Sequence, residues 1–157
     1  MNRLLLPFFL TGIVMLLISS CDKNKVVDNY KAIPIRGWER DSLVNFDFNV
    51  INTNRKYNLY LNVRNKTSYN YSNLWLFVDI TEPGGNLKKD TVEITLAEPD
   101  GKWLGKGFDG LKTHVNIFKS SFTFDKPGVY NVKIQQSMRE NNLKGINDIG
   151  FRVETTE

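Results

Sequence analysis

Two-residue periodicity governs this chain from Val44 almost to its end. Val44, Phe46, Phe48 and Val50 alternate with Asn45, Asp47 and Asn49; Tyr57, Leu59, Leu61 and Val63 alternate with Asn58, Tyr60, Asn62 and Arg64. Successive side chains of an extended strand point to opposite faces, so each stretch has one face to bury. Leu74, Leu76, Val78 and Ile80 repeat the pattern, but Trp75 and Phe77 make the opposite face apolar too, which predicts a central strand covered on both sides.

Turn chemistry separates these runs. Pro83-Gly84-Gly85-Asn86 combines a fixed corner with residues that tolerate positive φ. A strand follows from Thr91 to Leu96, then a loop rich in glycine (Gly101, Gly105, Gly107, Gly110). Val115 with Ile117 and Phe122 with Phe124 predict two brief strands, and Pro127-Gly128 leads into a long alternating run from Val129 to Met138. The last strand holds Ile149, Phe151 and Val153, and the polar Glu140 to Lys144 predicts a hairpin joining it to the preceding one. No segment keeps helical spacing beyond two turns. About eight strands at this spacing predict an all-β fold, an antiparallel β-sandwich for which a jelly-roll-like topology is plausible.

The amino terminus follows another logic. Arg3, an apolar run from Leu4 to Ile18, and then Ser19, Ser20 and Cys21 have the layout of a secretory signal. The run is broken by Pro7, Thr11 and Gly12 and is shorter than the roughly 20 residues that cross a bilayer. Ile18-Ser19-Ser20-Cys21 has the form of a lipobox, whose cysteine accepts a diacylglyceryl group before cleavage. Cys21 is the sole cysteine, so no intramolecular disulfide competes for it. Each buried CH₂ contributes about 0.8 kcal/mol, so two or three acyl chains suffice as an anchor.

These features predict a signal peptide over 1–20, a lipidated tether over 21–29 and one sandwich domain over 30–157. Cleavage would leave 137 of the 157 residues, enough for one core. Removing Arg3 takes Lys and Arg from 21 to 20 against 17 acidic residues, a net charge of +3. The cations are dispersed, which argues against a nucleic-acid partner.

Catalysis has little material. His114 is the only histidine and Cys21 is committed to lipid, so there is no Cys/His nucleophilic pair, no His-rich zinc site and no plausible serine triad. Asp41, Asp79, Glu82, Asp90 and Glu93 lie near predicted strand ends, where carboxylates are usually solvated. Asp100, Asp109 and Asp148 fall in expected loops but match no calcium motif and read as turn residues. No metal and no cofactor is expected.

Aromatic and amide side chains are the better candidates. Trp38, Tyr69, Tyr71, Trp75 and Trp103, close to Asn62, Asn65, Asn70 and Asn73, form the mixture that binds protein partners or glycans by stacking and hydrogen bonding. Tryptophan also fills sandwich cores; that outcome is favoured for Trp75 and evenly balanced for Trp38 and Trp103. Arg64 and Arg139 complete the patch as candidate interface anchors, a surface salt bridge being the commoner outcome for such residues, with Arg139 expected opposite Arg152 across the final hairpin.

Several segments together carry a resemblance. Gly37-Trp38, Tyr57 to Asn65, Tyr71 to Phe77, Pro99 to Gly107, Gln136 to Arg139 and Gly145 to Gly150 resemble the gliding-motility lipoprotein GldH family, over nearly all of the expected mature chain. Thr113 to Lys126 shows no such signature. The resemblance implies a cell-envelope lipoprotein of the Bacteroidota, without established catalytic residues, supporting surface gliding and tied to the type IX secretion machinery. Its expected partners are other gliding or secretion envelope proteins, with the membrane reached through lipid on Cys21, at the periplasmic face of the inner or outer membrane. A carbohydrate-binding module of the envelope is the alternative reading.

Overall fold

The computed structural model describes residues 24–156; the expected signal peptide and Cys21 lie outside them. Ten strands follow one another: β1 (Lys25–Ala32), β2 (Trp38–Glu39), β3 (Val44–Val50), β4 (Tyr57–Lys66), β5 (Asn73–Thr81), β6 (Leu87–Thr95), β7 (Leu111–Phe122), β8 (Gly128–Gln136), β9 (Asn142–Leu143) and β10 (Ile146–Thr155). One sheet has the order β1-β10-β4-β7 and the other β3-β8-β5-β6, with β2 and β9 forming a short ladder of their own. All pairings are antiparallel. Among the eight long strands, every connection crosses between the sheets except the β5–β6 hairpin, which is the jelly-roll order.

Alternation explains the packing. Phe46 and Phe48 of β3, Leu59, Leu61 and Val63 of β4, Leu74, Leu76 and Val78 of β5, and Phe151 and Val153 of β10 are all buried. Their inward faces fill the space between the sheets. Phe48 sits at the centre of an aromatic cluster, 5.7 Å from Phe151, 5.6 Å from Tyr130 and 5.6 Å from Phe124, ring centre to ring centre. The Tyr130 hydroxyl donates to the Lys126 carbonyl at 2.9 Å, so its polar end is satisfied without breaking the cluster.

Four expectations change. The tether expected over 21–29 gives up Lys25–Asn29 to β1, which pairs with β10 along its length. A register shift between Lys25 and Val27 puts the adjacent Val26 and Val27 out of simple alternation and hides the strand. The expected final hairpin does not form: β8 lies between β3 and β5 while β10 lies between β1 and β4, in the opposite sheet. Arg139 and Arg152 therefore do not face one another across a ladder. The two brief strands around Val115–Ile117 and Phe122–Phe124 are one strand, β7, with Val115 and Ile117 turned outward and Phe124 buried just beyond its end. Finally, Trp75 and Phe77 are 38% and 44% exposed, so β5 is an inner strand of its sheet with an uncovered outer face.

The sandwich has two distinct ends. β1 starts opposite Glu154 and finishes opposite Asp148. At about 3.3 Å per residue its eight residues span roughly 25 Å. We call the end where β1 starts proximal and the other distal. The connections over 33–43, 67–72, 96–110 and 137–145 lie at the distal end, and those over 51–56, 82–86 and 123–127 at the proximal end.

Candidate functional site: an aromatic groove at the distal end

The groove is built where β5 begins and β8 ends. Asn73 and Trp75 project from the outer side of β5, while Ser137, Met138 and Arg139 continue from β8; with Tyr71 they line a groove of about 410 Å³. Backbone bonds hold the two sides together. The Ser137 amide donates to the Trp75 carbonyl at 2.8 Å, and the Trp75 amide lies 3.3 Å from Met138 Sδ.

Side-chain supports fix the far wall. Gln136 is fully buried; its side-chain amide donates to the Glu140 carbonyl and its Oε1 accepts from the Met138 amide, both at 2.8 Å. Arg40 adds guanidinium hydrogen bonds to the carbonyls of Met138 and Arg139. Residues 137–140 are thus held by Arg40 from another segment and by Gln136 just before them. Arg139 itself stays exposed.

Tyr71 links this groove to a second one. Its hydroxyl donates to Glu140 Oε1 at 2.9 Å, and that bond to an anion holds the phenol above its ordinary pKa. On its other side Tyr71 meets Tyr69 edge to face at 5.6 Å. Tyr69 is buried, its hydroxyl bonded to the Asn73 carbonyl at 3.0 Å, and burial raises its pKa strongly. Tyr69, Tyr71, Ser72, Glu98 and Trp103 belong to the adjoining groove of about 470 Å³. Trp103 is half-buried there, bridged to Ala97 across a turn in which Asp100 Oδ1 accepts from the Lys102 amide at 3.0 Å.

Four of the seven expected patch residues therefore share one surface, Tyr71, Trp75, Trp103 and Arg139, with the buried Tyr69 beneath them. Trp38 does not. It is 1% exposed, with its indole N–H donating to the Ser42 carbonyl at 2.9 Å, and it belongs to the core. Arg64 is also elsewhere, on the outer face of the first sheet, its guanidinium 4.1 Å from the Tyr30 ring centre and 3.9 Å from Asp148. Asp148, expected in a loop, lies within β10. Sequence reasoning missed Met138, Ser137 and the supports Arg40, Gln136 and Glu140, because only tertiary structure carries β8 to the side of Trp75.

Chemically, the surface offers stacking and hydrogen bonding. Trp75 presents a partly exposed indole, the Asn73 amide is held by Glu93 at 2.6 Å, and the Arg139 guanidinium is available as a carboxylate fork. His114 is far less available. It is 4% exposed, desolvation lowers its pKa, and its Nε2 is so close to Gly105 that a Cβ there would stand 2.5 Å away. Among the described residues, no group of three or more His, Cys, Asp or Glu is placed to hold a metal ion.

Comparison with known proteins follows the same boundaries as the fold. A family model described as GldH lipoprotein matches residues 25–153, from the first residue of β1 into β10. The gliding motility lipoprotein GldH homolog of Christiangramia forsetii is 41% identical over 156 residues, covering 95% of each chain. The gliding motility lipoprotein GldH of Flavobacterium johnsoniae is 40% identical over 154 residues, covering 92% of this chain and 95% of its own. Among solved structures, a family GH115 4-O-methyl-α-glucuronidase with specificity for decorated arabinogalactans aligns with a TM-score of 0.44 at 10% identity, over 88% of this chain and 18% of that one. That likeness is too distant to transfer fold or function. On the strength of the two relatives and the family match, this chain belongs to the GldH lipoprotein family.

Proposed function

We propose that this protein is a membrane-anchored envelope lipoprotein that supports gliding motility as a non-catalytic binding or assembly factor, linked to the type IX secretion machinery. In this reading Cys21 carries the lipid, and the Tyr71–Trp75–Arg139 groove engages another envelope protein. The observation that carries it is the exposure of Trp75 on β5, a strand paired on both sides, toward the end of the sandwich farthest from β1's start. Exposed tryptophan and arginine around a supported groove are the residue types that dominate protein interfaces.

Crosslinking in intact cells tests the partner. Trp75→Ala should lower affinity for the crosslinked protein by about 2 kcal/mol or more, roughly 30-fold, while changing stability by less than about 0.5 kcal/mol, because no core contact is removed. Capture of the same partners by Trp75→Ala and Arg139→Ala proteins would remove the groove from the mechanism. Saturable glycan binding lost in Trp75→Ala, with no protein captured, would favour the carbohydrate-binding alternative.

The anchor has its own test. Cells producing only Cys21→Ser should release the protein from membranes and lose gliding, measured by fractionation and colony spreading. Normal membrane retention would remove lipid tethering from the mechanism.

A further inference from the structure

We infer that the proximal end of the sandwich is a second membrane contact, resting on anionic phospholipid headgroups beside the acyl anchor. The inference depends on acylation of Cys21. Asn24 is three residues further on, so the chain can place it no more than about 11 Å from the lipid-bearing residue. Asn24 is itself fixed: its carbonyl accepts from the Thr155 amide at 2.8 Å, and the neighbouring Thr156 amide donates to the Lys56 carbonyl at 3.0 Å. The anchor therefore holds the segment around Lys56 close to the bilayer.

The residues there fit that surface. Arg55, Lys56 and Thr156, with Asn54, line an exposed groove of about 470 Å³. Other charges at this end are largely balanced within the protein: Lys25 pairs with Asp28, and Lys88 with Glu82 and Asp125. Among the described residues, Arg55 and Lys56 have no acidic side chain within ion-pair distance, and Lys126 adds an exposed cation in the 123–127 connection. Around them Ile51 is 84% exposed, Val129 62% and Leu87 46%. Cations beside protruding aliphatic side chains match a boundary that is anionic at the headgroups and apolar beneath.

The consequence is orientation. With the proximal end seated, the Trp75 groove faces away from the bilayer, at the other end of strands about 25 Å long. A lipid tether alone would leave the body free to tumble.

The mature full-length lipoprotein, reconstituted into phosphatidylcholine vesicles with or without phosphatidylglycerol, tests this. Acylation occupies Cys21, so Asn54→Cys or Asn70→Cys gives one free thiol for an environment-sensitive dye, at the proximal or distal end respectively. With phosphatidylglycerol present, acrylamide quenching of the Asn54 dye should fall several-fold while that of the Asn70 dye stays unchanged. Arg55→Glu with Lys56→Glu should abolish the protection without changing acyl mass or vesicle retention. Each cation is expected to contribute about fivefold in association with the anionic surface. Equal quenching at the two ends of an acylated protein would overturn the seated orientation and leave the anchor standing. Dye on Cys21 and a mass without acyl groups would overturn the anchor, and the orientation with it.

Discussion

Trp38→Ala is expected to destabilise the protein by about 3–5 kcal/mol, a large part of the stability of a domain this size. The indole is 1% exposed, stands on β2 opposite Leu143 of β9, and closes the distal end of the core. Truncation would leave a cavity lined by a short ladder that has no long sheet beside it to hold it in place. The Ser42 carbonyl would also lose its 2.9 Å donor. Urea denaturation followed by circular dichroism measures the effect, against Trp75→Ala as the exposed control. A Trp38→Ala midpoint matching that of wild type, with partner binding lost, would return Trp38 to the binding surface.

Gly145→Ala should have an effect of similar size for a different reason. Gly145 has φ +92°, and a Cβ there would lie 2.8 Å from Tyr69 Cα, which is backbone and cannot rotate away. The unfavourable φ costs about 1–2 kcal/mol for an L-residue, and displacement of packed neighbours adds about 1–3 kcal/mol. Gly85 separates the two contributions. It has φ +89° with nothing within 4 Å of its notional Cβ, so Gly85→Ala should show the conformational cost alone. The excess for Gly145→Ala measures the steric part. Tyr69 carries Tyr71 at its edge, so the same substitution should also weaken partner capture at the groove. Equal urea midpoints for the two alanine variants would show that the distal loops yield where the packing predicts they resist.

Legibility of this fold followed burial. Where one face is buried and the other wet, as along Val44 to Val50 or Leu74 to Ile80, period two names the strand and its inward side. β1 is an edge strand of mixed exposure with a register shift near its start, and its polar composition reads as a tether. β7 carries apolar residues outward at Val115 and Ile117 and turns polar side chains inward, so its pattern points to the wrong face. The false hairpin had a different origin. Residues 140–144 are long enough to turn a chain, but β8 already has a neighbour on each side, so β10 had to join the other sheet.

At the site, residue types were visible and their arrangement was not. Tyr69, Tyr71 and Trp75 are close in sequence and lie along one corner, so their association could be anticipated. Arg139 reaches them only because β8 pairs with β5, which brings Gln136 opposite Leu76. Trp38 and Trp103 were undecided from sequence because a tryptophan at a sandwich end serves equally well as plug or platform. Only the surrounding loops decide it, through the Ser42 carbonyl for one and the Asp100 turn for the other.

The position of β1 has a mechanical consequence. Among the described residues, the first strand runs from the proximal to the distal end and is bonded on one side only, to β10. Under the proposed lipid anchor at Cys21 and partner contact at the distal groove, tension between the two would act along β1, across hydrogen bonds that lie perpendicular to the pull. They would be strained together in shear instead of being peeled open one at a time, the arrangement in which a pair of strands resists extension best.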